Sequence, residues 1–233
     1  MAKQTWKPGN MLYPVPAVMV SCADRSSNAN IITVAWAGTV CTNPPMLSIS
    51  VRPERFSYAM LRDTGEFVVN LVGRNLARAC DWCGVKSGRD VDKWEEMGLT
   101  PLPSETLEFA PGIAQSPVNI ECKVRDVLEL GSHHMFLAEV TAVRVDGDLV
   151  DESGKLRLDR ANLVAYSHGE YFDLGHRLGT FGYSVRKKPQ AEKGHTGKPL
   201  SGKPRAGKPR AAKPRAGKPG PRKTETGRKR NSR

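Results

Sequence analysis

The chain has 233 residues and a formal net charge of +12, with 36 Lys and Arg against 24 Asp and Glu. This charge is unevenly distributed, because residues 186–233 hold 18 Lys and Arg and only two acids, a net of +16, which leaves residues 1–185 with a net of −4. The composition therefore excludes a uniformly basic nucleic-acid-binding domain, and any argument for a polyanionic partner concerns the C-terminal segment alone.

The five cysteines are scattered through residues 22–122, and the sequence starts without the apolar stretch of a secretory signal. No run of about 18 apolar residues, the length needed to span a bilayer, occurs in the chain. We therefore expect a cytoplasmic protein without a membrane span, whose thiols are reduced and mostly buried.

The first part of the chain has the pattern of short strands separated by turns. Two segments rich in Val, Ile and Thr flank a turn-forming segment and predict a hairpin, and a further strand follows Asn43-Pro44-Pro45. The predicted strands cover residues 15–22, 31–40, 46–51 and 67–72, and the predicted helices cover residues 55–61 and 75–83.

Residues 83–117 show little periodicity and many turn formers. We predict a long excursion here, with one helical turn near residues 91–97. A loop of this length inside a compact domain is usually functional.

Strand alternation returns at residue 118. The alternation predicts one dry and one wet face. The apolar residues are Val118, Ile120, Cys122 and Val124, and the polar residues are Asn119, Glu121, Lys123 and Arg125. Strands are also predicted over residues 135–145 and 163–166. Several strands, few helices and no βαβ rhythm favour an antiparallel barrel, and no Gly-x-Gly-x-x-Gly sequence follows a strand, which argues against a Rossmann site.

From about residue 186 the sequence becomes a basic, proline-rich tail. Lys-Pro recurs every five residues from Lys198, and no large apolar residue follows Leu200. Because proline removes backbone donors and like charges repel, we predict that residues 186–233 are disordered. The repeats could contact a nucleic acid or another polyanion without sequence specificity, since they carry no aromatic residue to stack on bases. A solubilising extension is the alternative.

Three segments of the predicted barrel, residues 30–38, 50–57 and 83–93, are polar or glycine-rich where a barrel needs only apolar filling. The first would let a flat aromatic ligand approach the backbone, although Thr33 and Trp36 share a face only if the strand ends or bulges between them. The second joins a strand end to a helix start and carries two arginines, which suits a phosphate. The third is a cationic loop with two glycines. A core tryptophan and solvated charges are the alternative interpretations.

In this order, the sequences N-x-x-T-x-A-W-x-G, S-x-R-P-x-R-x-S and C-G-x-x-S-G-x-x-x-D-K resemble those of the flavin reductase-like, FMN-binding split-barrel family, particularly its flavoredoxin-like members. The resemblance extends over about residues 6–185. It implies a mainly β fold for residues 1–185, a Greek-key antiparallel split β-barrel with a few short helices, and a homodimer with one FMN per subunit near the interface.

The resemblance also implies which residues surround the cofactor, with Lys93 placing positive charge near the ring. Thr33, Ala35 and Trp36 would lie along the flavin, Ser50, Val51, Arg52 and Ser57 would hold the phosphate and ribityl side, and Ser87, Gly88 and Lys93 would close a loop over it.

Reductases of this family usually carry Gly-Asp-His in the strand after the long loop, whereas this chain has Gly131-Ser132-His133-His134. His133 could contact the nicotinamide or the flavin edge, or it could satisfy local groups in a hairpin. Because the aspartate is missing, the sequence does not decide whether the protein uses NAD(P)H directly. No other catalytic side chain is predicted.

Cys80 and Cys83 form a C-x-x-C pair. Such a pair can be redox-active or half of a zinc site, but no second pair of ligands accompanies it. We therefore favour structural thiols over a redox pair and predict no metal site.

The predicted function is transfer of reducing equivalents from NAD(P)H or a protein donor through FMN to a second acceptor. One alternative is a flavoredoxin-like electron carrier that does not oxidise NAD(P)H. The other is a polyanion-binding module in which the tail is the functional part and the barrel is a dimerising scaffold.

Overall fold

The structure, a computed structural model, describes residues 1–186. Met1–Gly179 forms one structural unit, and Thr180 begins a second, whose described part holds a short 3-10 turn, Tyr183–Val185. The predicted tail lies, apart from Arg186, outside the described residues. The predicted domain boundary between residues 185 and 186 and the predicted disorder of the tail therefore stay predictions. The described part of the chain contains no helix long and apolar enough to cross a membrane.

Strands are the main secondary structure of the first unit. In chain order they are β1 (Val15–Pro16), β2 (Val18–Ala23), β3 (Ala29–Val34), β4 (Ala37–Cys41), β5 (Met46–Val51), β6 (Glu66–Leu71), β7 (Pro101–Leu102), β8 (Gly112–Ile113), β9 (Val118–Leu130), β10 (His133–Val145), β11 (Val164–Ser167) and β12 (Glu170–Asp173). The helices are α1 (Phe56–Thr64), α2 (Ala77–Val85) and α3 (Lys93–Glu96), with 3-10 turns at Arg74–Leu76, Gly147–Leu149 and Leu158–Arg160.

The main sheet has seven antiparallel strands in the order β3-β2-β6-β9-β10-β5-β4. A smaller antiparallel sheet has the order β1-β11-β12, and β7 pairs with β8. The prediction of a mainly β, antiparallel fold with a few short helices is confirmed. Strand β12 and the short pair β7 and β8 were not predicted.

The predicted strand over residues 31–40 is wrong, because it consists of two strands. β3 pairs with β2, whereas β4 pairs with β5 at the opposite edge of the sheet. The chain crosses between these edges at Ala35 and Trp36, where the backbone N–H of Ser50 donates to the carbonyl of Trp36 at 2.8 Å. The strand thus ends between Thr33 and Trp36, which removes the constraint that would place them on opposite faces.

Two clusters of buried apolar side chains hold the unit together. One lies inside the curved sheet and includes Val20, Ile49, Phe67 and Phe136. The other lies between β2, β3 and helix α2, and includes Met19, Ile31, Cys80 and Ile113. Because successive residues of β2 and β3 enter different clusters, these strands are buried on both faces.

The predicted wet face of β9 is exposed at Lys123 and Arg125, but the prediction is wrong at Asn119 and Glu121. Asn119 is 4% exposed and Glu121 only 1%, because the long excursion folds back over this side of the sheet. Glu121 accepts the backbone N–H groups of Glu105 and Thr106 at 2.9 and 2.8 Å. We call residues 103–110 the covering loop. The predicted long loop therefore completes the core on one side of the barrel.

Candidate functional site

Two cavities adjoin between β3 and the end of β5. The larger, which we call the polar pocket, has a volume of about 330 Å³, and the narrow groove beside it has about 160 Å³. Ile32, Arg52 and Arg55 line both cavities. The other residues of the polar pocket are Asn30, Glu54, Phe56, Ser57, Cys83, Lys86, Ser87, Gly88, Arg89 and Lys93, and those of the narrow groove are Thr33, Val34, Ala35, Trp36, Ser50, Val51 and His133.

The polar pocket lies between two chain segments. One is the turn from β5 into α1, residues 52–57, and the other is the connection from α2 to α3, residues 86–92, which we call the pocket loop. Ser57, in the first turn of α1, is buried, and its hydroxyl accepts the amide N–H of Asn30 at 2.7 Å. The pocket loop approaches so closely that a Cβ added at Gly88 would stand 2.2 Å from Oδ1 of Asn30. Glycine is therefore required at this position.

The narrow groove follows the chain from the end of β3 through Trp36. The Thr33 hydroxyl donates to the carbonyl of Cys80 in α2, which ties β3 to that helix. Ala35 and Trp36 follow where the strand has ended, and Ser50 reaches Trp36 through its backbone N–H. A flat ligand could therefore lie beside the peptide groups of Ala35 and Trp36 here.

Four exposed cations surround the mouth of the polar pocket: Arg52, Arg55, Lys86 and Arg89. The one carboxylate lining it is that of Glu54, which pairs with Arg52 at 3.3 Å. Both side chains of this pair are more than half exposed, so the pair neutralises little of the local positive potential. The pocket is therefore suited to an anion with several oxygen atoms.

Lys93 is a buried cation, only 4% exposed. Its Nζ donates to the carbonyl of Ile31 at 2.8 Å and to that of Cys83 at 2.7 Å. Among the ion pairs of residues 1–186, none involves Lys93. Burial lowers the pKa of its amino group, since the charged form loses hydration. An anion in the adjoining pocket would offset that loss.

His133 lines the narrow groove, and its Nδ1 lies 3.0 Å from the hydroxyl of Ser132. Burial, followed by the nearby charge of Arg52, lowers the pKa of its imidazole, so the ring is neutral at pH 7. The next residue, His134, contacts the hydroxyl of Tyr58 at 2.7 Å instead. Whether His133 contacts a nicotinamide stays a prediction.

The cysteines of the C-x-x-C pair both lie in α2 and are buried. Burial raises the pKa of Cys80 to about 12 and that of Cys83 to about 11. Such thiols are protonated at neutral pH and therefore poor nucleophiles. In the described part of the chain, no three His, Cys, Asp or Glu side chains form a group that could hold a metal ion.

All eleven residues predicted for the site line one of the two cavities. They are Thr33, Ala35, Trp36, Ser50, Val51 and His133 in the narrow groove, Ser57, Ser87, Gly88 and Lys93 in the polar pocket, and Arg52 in both. Their roles towards a cofactor stay predictions. The sequence-based set omitted Asn30, Arg55, Lys86 and Arg89, although the density of cations in residues 50–57 and 83–93 was a usable signal.

Three comparisons with known proteins bear on this arrangement. The model of the family described as "Flavin reductase like domain" matches residues 11–175. An uncharacterised protein of Aeropyrum pernix is 34% identical over 134 residues, which cover 57% of this chain but only 50% of that protein. The structure of flavoredoxin from Desulfovibrio vulgaris is 29% identical, with a TM-score of 0.74, over 79% of this chain and 100% of that chain.

A fold of the same kind occurs in a protein of Shewanella frigidimarina described as having a split barrel domain. It is 24% identical, with a TM-score of 0.67, over 75% of this chain and 89% of that chain. The predicted split β-barrel and the predicted family resemblance are thereby confirmed.

Proposed function

The chain belongs to the flavin reductase-like family, and from this premise we propose that it binds FMN noncovalently and passes reducing equivalents from NAD(P)H or a protein donor to a second acceptor. The observation that carries the proposal is the junction of a cation-lined pocket with a narrow groove between the end of β3 and the end of β5. A flat ring that bears a phosphate on a short chain requires this combination.

The polar pocket supplies the donors for the phosphate and the ribityl chain. Arg52 can form two parallel hydrogen bonds to phosphate oxygens, and Ser57 and Ser87 add hydroxyl groups. Lys93, held by two carbonyls, contributes a buried positive charge that an anionic ligand would offset. These residues bind and orient the cofactor.

The narrow groove positions the ring. When bound, FMN supplies the electron-accepting chemistry that the side chains lack. Thr33, Ala35 and Trp36 border the space along the end of β3, and the neutral His133 stands across it. In this proposal the protein orients the ring and keeps one side accessible to a donor.

A second copy of the chain is part of the proposal. At about 160 Å³ the groove is smaller than the roughly 300–1,000 Å³ of pockets that enclose a small ligand. A more apolar recess of about 640 Å³ continues from it past Trp36 to Met135, beside the exposed side chains of Met11 and Leu12. Association of two copies would cover this surface and one side of the ring. If sedimentation equilibrium shows a monomer, the proposed association of two copies is wrong.

The direct test is titration of the full chain with FMN, followed by visible absorption and by quenching of flavin fluorescence. We expect a resolved spectral shift and tighter binding of FMN than of riboflavin, which lacks the phosphate. A chain that gives no shift with either compound would contradict the proposal.

The electron donor is tested separately. Under anaerobic conditions, bleaching of the bound flavin by NADH or NADPH would identify a reductase. Bleaching by dithionite alone would indicate the flavoredoxin-like carrier, which receives electrons from a protein.

The basic tail motivates the second candidate function, in which the chain contacts a polyanion. It is favoured by the separation of charge, +16 in residues 186–233 against −4 in residues 1–185. Deletion of residues 187–233 should abolish salt-sensitive retention on DNA and leave FMN binding unchanged. Equal retention of the full and shortened chains would contradict a role for the tail.

A further inference from the structure

The two sides of the polar pocket are joined by a reciprocal pair of arginine contacts. Both Nη atoms of Arg89, on the pocket loop, lie 3.3 Å from the carbonyl oxygen of Glu54 on the opposite side. In the other direction, Nη1 of Arg55 lies 3.5 Å from the carbonyl of Gly84, at the end of α2. Arg89 therefore ties the pocket loop to the turn before α1, and Arg55 ties that turn to the end of α2.

An aromatic contact reinforces this closure. The guanidinium carbon of Arg89 lies 5.6 Å from the centre of the Phe56 ring, a cation–π distance. Gly88, beside Arg89, allows the loop to pass close to the same ring, because a Cβ there would lie 2.7 Å from Cδ1 of Phe56. The pocket loop is thus seated on the start of α1 by a glycine and an arginine that are adjacent in sequence.

The far end of the pocket loop is held differently. Lys93 is buried, and its two bonds, to Ile31 and Cys83, are shielded from water. Arg55 and Arg89 are exposed, and their bonds are long and compete with water. Exposed hydrogen bonds contribute less to stability than buried ones, so the arginine contacts open before the lysine anchor does.

We propose that Arg89, with Arg55 opposite, closes the polar pocket as a clip that controls how long a phosphate-bearing flavin is retained. This inference rests on the proposed function and adds to it the residue that sets the rate of cofactor exchange. A guanidinium has five N–H groups, and the Glu54 carbonyl engages only two of them. Arg89 can therefore bridge a phosphate oxygen and the opposite backbone at once, so that ligand and clip stabilise each other.

The first experiment measures the clip without a cofactor. Hydrogen exchange of the full chain reports on the backbone N–H groups of Lys86 and Asp90, which bond to Trp82 and Ser87. We expect these amides to exchange about 3- to 10-fold faster in Arg89→Gln than in the wild type. The matched control is Arg78→Gln, which changes an exposed arginine of α2 that lines neither cavity. Equal exchange in wild type and Arg89→Gln overturns the clip.

The second experiment measures retention of the ligand. FMN and riboflavin are released from each variant into an excess of a flavin-binding trap, and the rates are recorded by fluorescence. We expect Arg89→Gln to release FMN about 5- to 10-fold faster, as the loss of one charged hydrogen bond predicts, and riboflavin at a rate within about twofold of wild type.

Arg89→Lys separates geometry from charge. Lysine keeps the positive charge but lacks the planar fork and the stacking on Phe56, so release of FMN should stay at least about 3-fold faster than in the wild type. Wild-type release from Arg89→Lys would show that charge alone suffices and would overturn the clip. If the wild type binds no flavin, the proposed function fails, while the exchange experiment still decides whether Arg89 holds the loop.

Discussion

The covering loop and the pocket loop both fold over the same barrel, but different chemistry attaches them. Two buried carboxylates of the sheet hold the covering loop. Glu121 accepts the backbone N–H groups of Glu105 and Thr106. Glu66 accepts those of Glu108 and Phe109. The pocket loop is attached by the exposed Arg89, which contacts the carbonyl of Glu54. A loop held by buried groups is a permanent part of the core, whereas a loop held by exposed groups can open around a ligand.

The strongest test of this contrast is Glu121→Gln. Each carboxylate oxygen of Glu121 accepts a backbone N–H, and one also accepts the Thr106 hydroxyl at 2.6 Å. Glutamine would place an NH₂ group against one of these donors, which should lower the free energy of unfolding by about 2–3 kcal/mol and Tm by about 5–10 °C. Calorimetry measures this, and FMN affinity should be unchanged.

The matched control is Glu129→Gln, a glutamate on the same strand whose side chain is 66% exposed. Its effect on the free energy of unfolding should stay within about 0.5 kcal/mol. If the two substitutions lower Tm equally, the covering loop is not held by its buried carboxylate.

Gly88→Ala addresses the pocket loop. The new Cβ would collide with Asn30 and Phe56, so the loop must move outward. We expect the free energy of FMN binding to become about 2 kcal/mol less favourable, which corresponds to a roughly 30-fold weaker affinity in fluorescence titration. Gly147→Ala, where nothing lies within 4 Å of the added Cβ, is the control and should bind FMN like the wild type. Normal binding by Gly88→Ala would contradict the packing described for this loop.

Arg52→Gln tests whether Arg52 contacts the phosphate or the ring, since Arg52 lines both cavities. If it contacts the phosphate, loss of the charged guanidinium should weaken FMN binding about 10-fold and riboflavin binding by less than about 3-fold, measured by titration. Equal losses for the two ligands would show that Arg52 does not contact the phosphate.

A smaller effect is expected from pH. Burial raises the pKa of Glu121, but the hydrogen bonds from Thr106 and Glu105 outweigh this and hold its pKa below the ordinary value of 4.5. A lowered pKa in the folded state contributes stability above the ordinary value, and that stability is lost as pH falls through the folded pKa. Urea unfolding should therefore show stability falling below pH 4.5, and less steeply in Glu121→Gln. Parallel profiles would contradict this assignment.

The strands that could be predicted were those with turn-forming residues or prolines next to both ends in the sequence. β5 matches its predicted bounds because prolines and a turn precede it and Arg52-Pro53 follows it. The break at Ala35 and Trp36 could not be predicted, since the residues on both sides favour strand and only the edge with which β4 pairs decides where β3 ends. The burial of Glu121 was equally hidden, because its partners come from a loop 15 or 16 residues away in sequence.

The site residues also divide into those that the local sequence indicates and those that only tertiary packing places. Residues inside the three short sequence patterns line the two cavities. Arg89 lies within one of those segments, yet its direction depends on the close approach at Gly88 and on the Phe56 ring, which belongs to another segment. Side chains that act across two segments are set by tertiary packing, which a single sequence does not display.

The burial of the thiols has a consequence for durability. Peroxide attacks thiolates and spares protonated thiols. Burial raises the pKa of Cys22 and Cys80 to about 12, so both side chains stay protonated at neutral pH. Cys41, in β4, is the half-buried cysteine among the five. Oxidative ageing of the protein should therefore begin at that strand and spare the interior of the barrel.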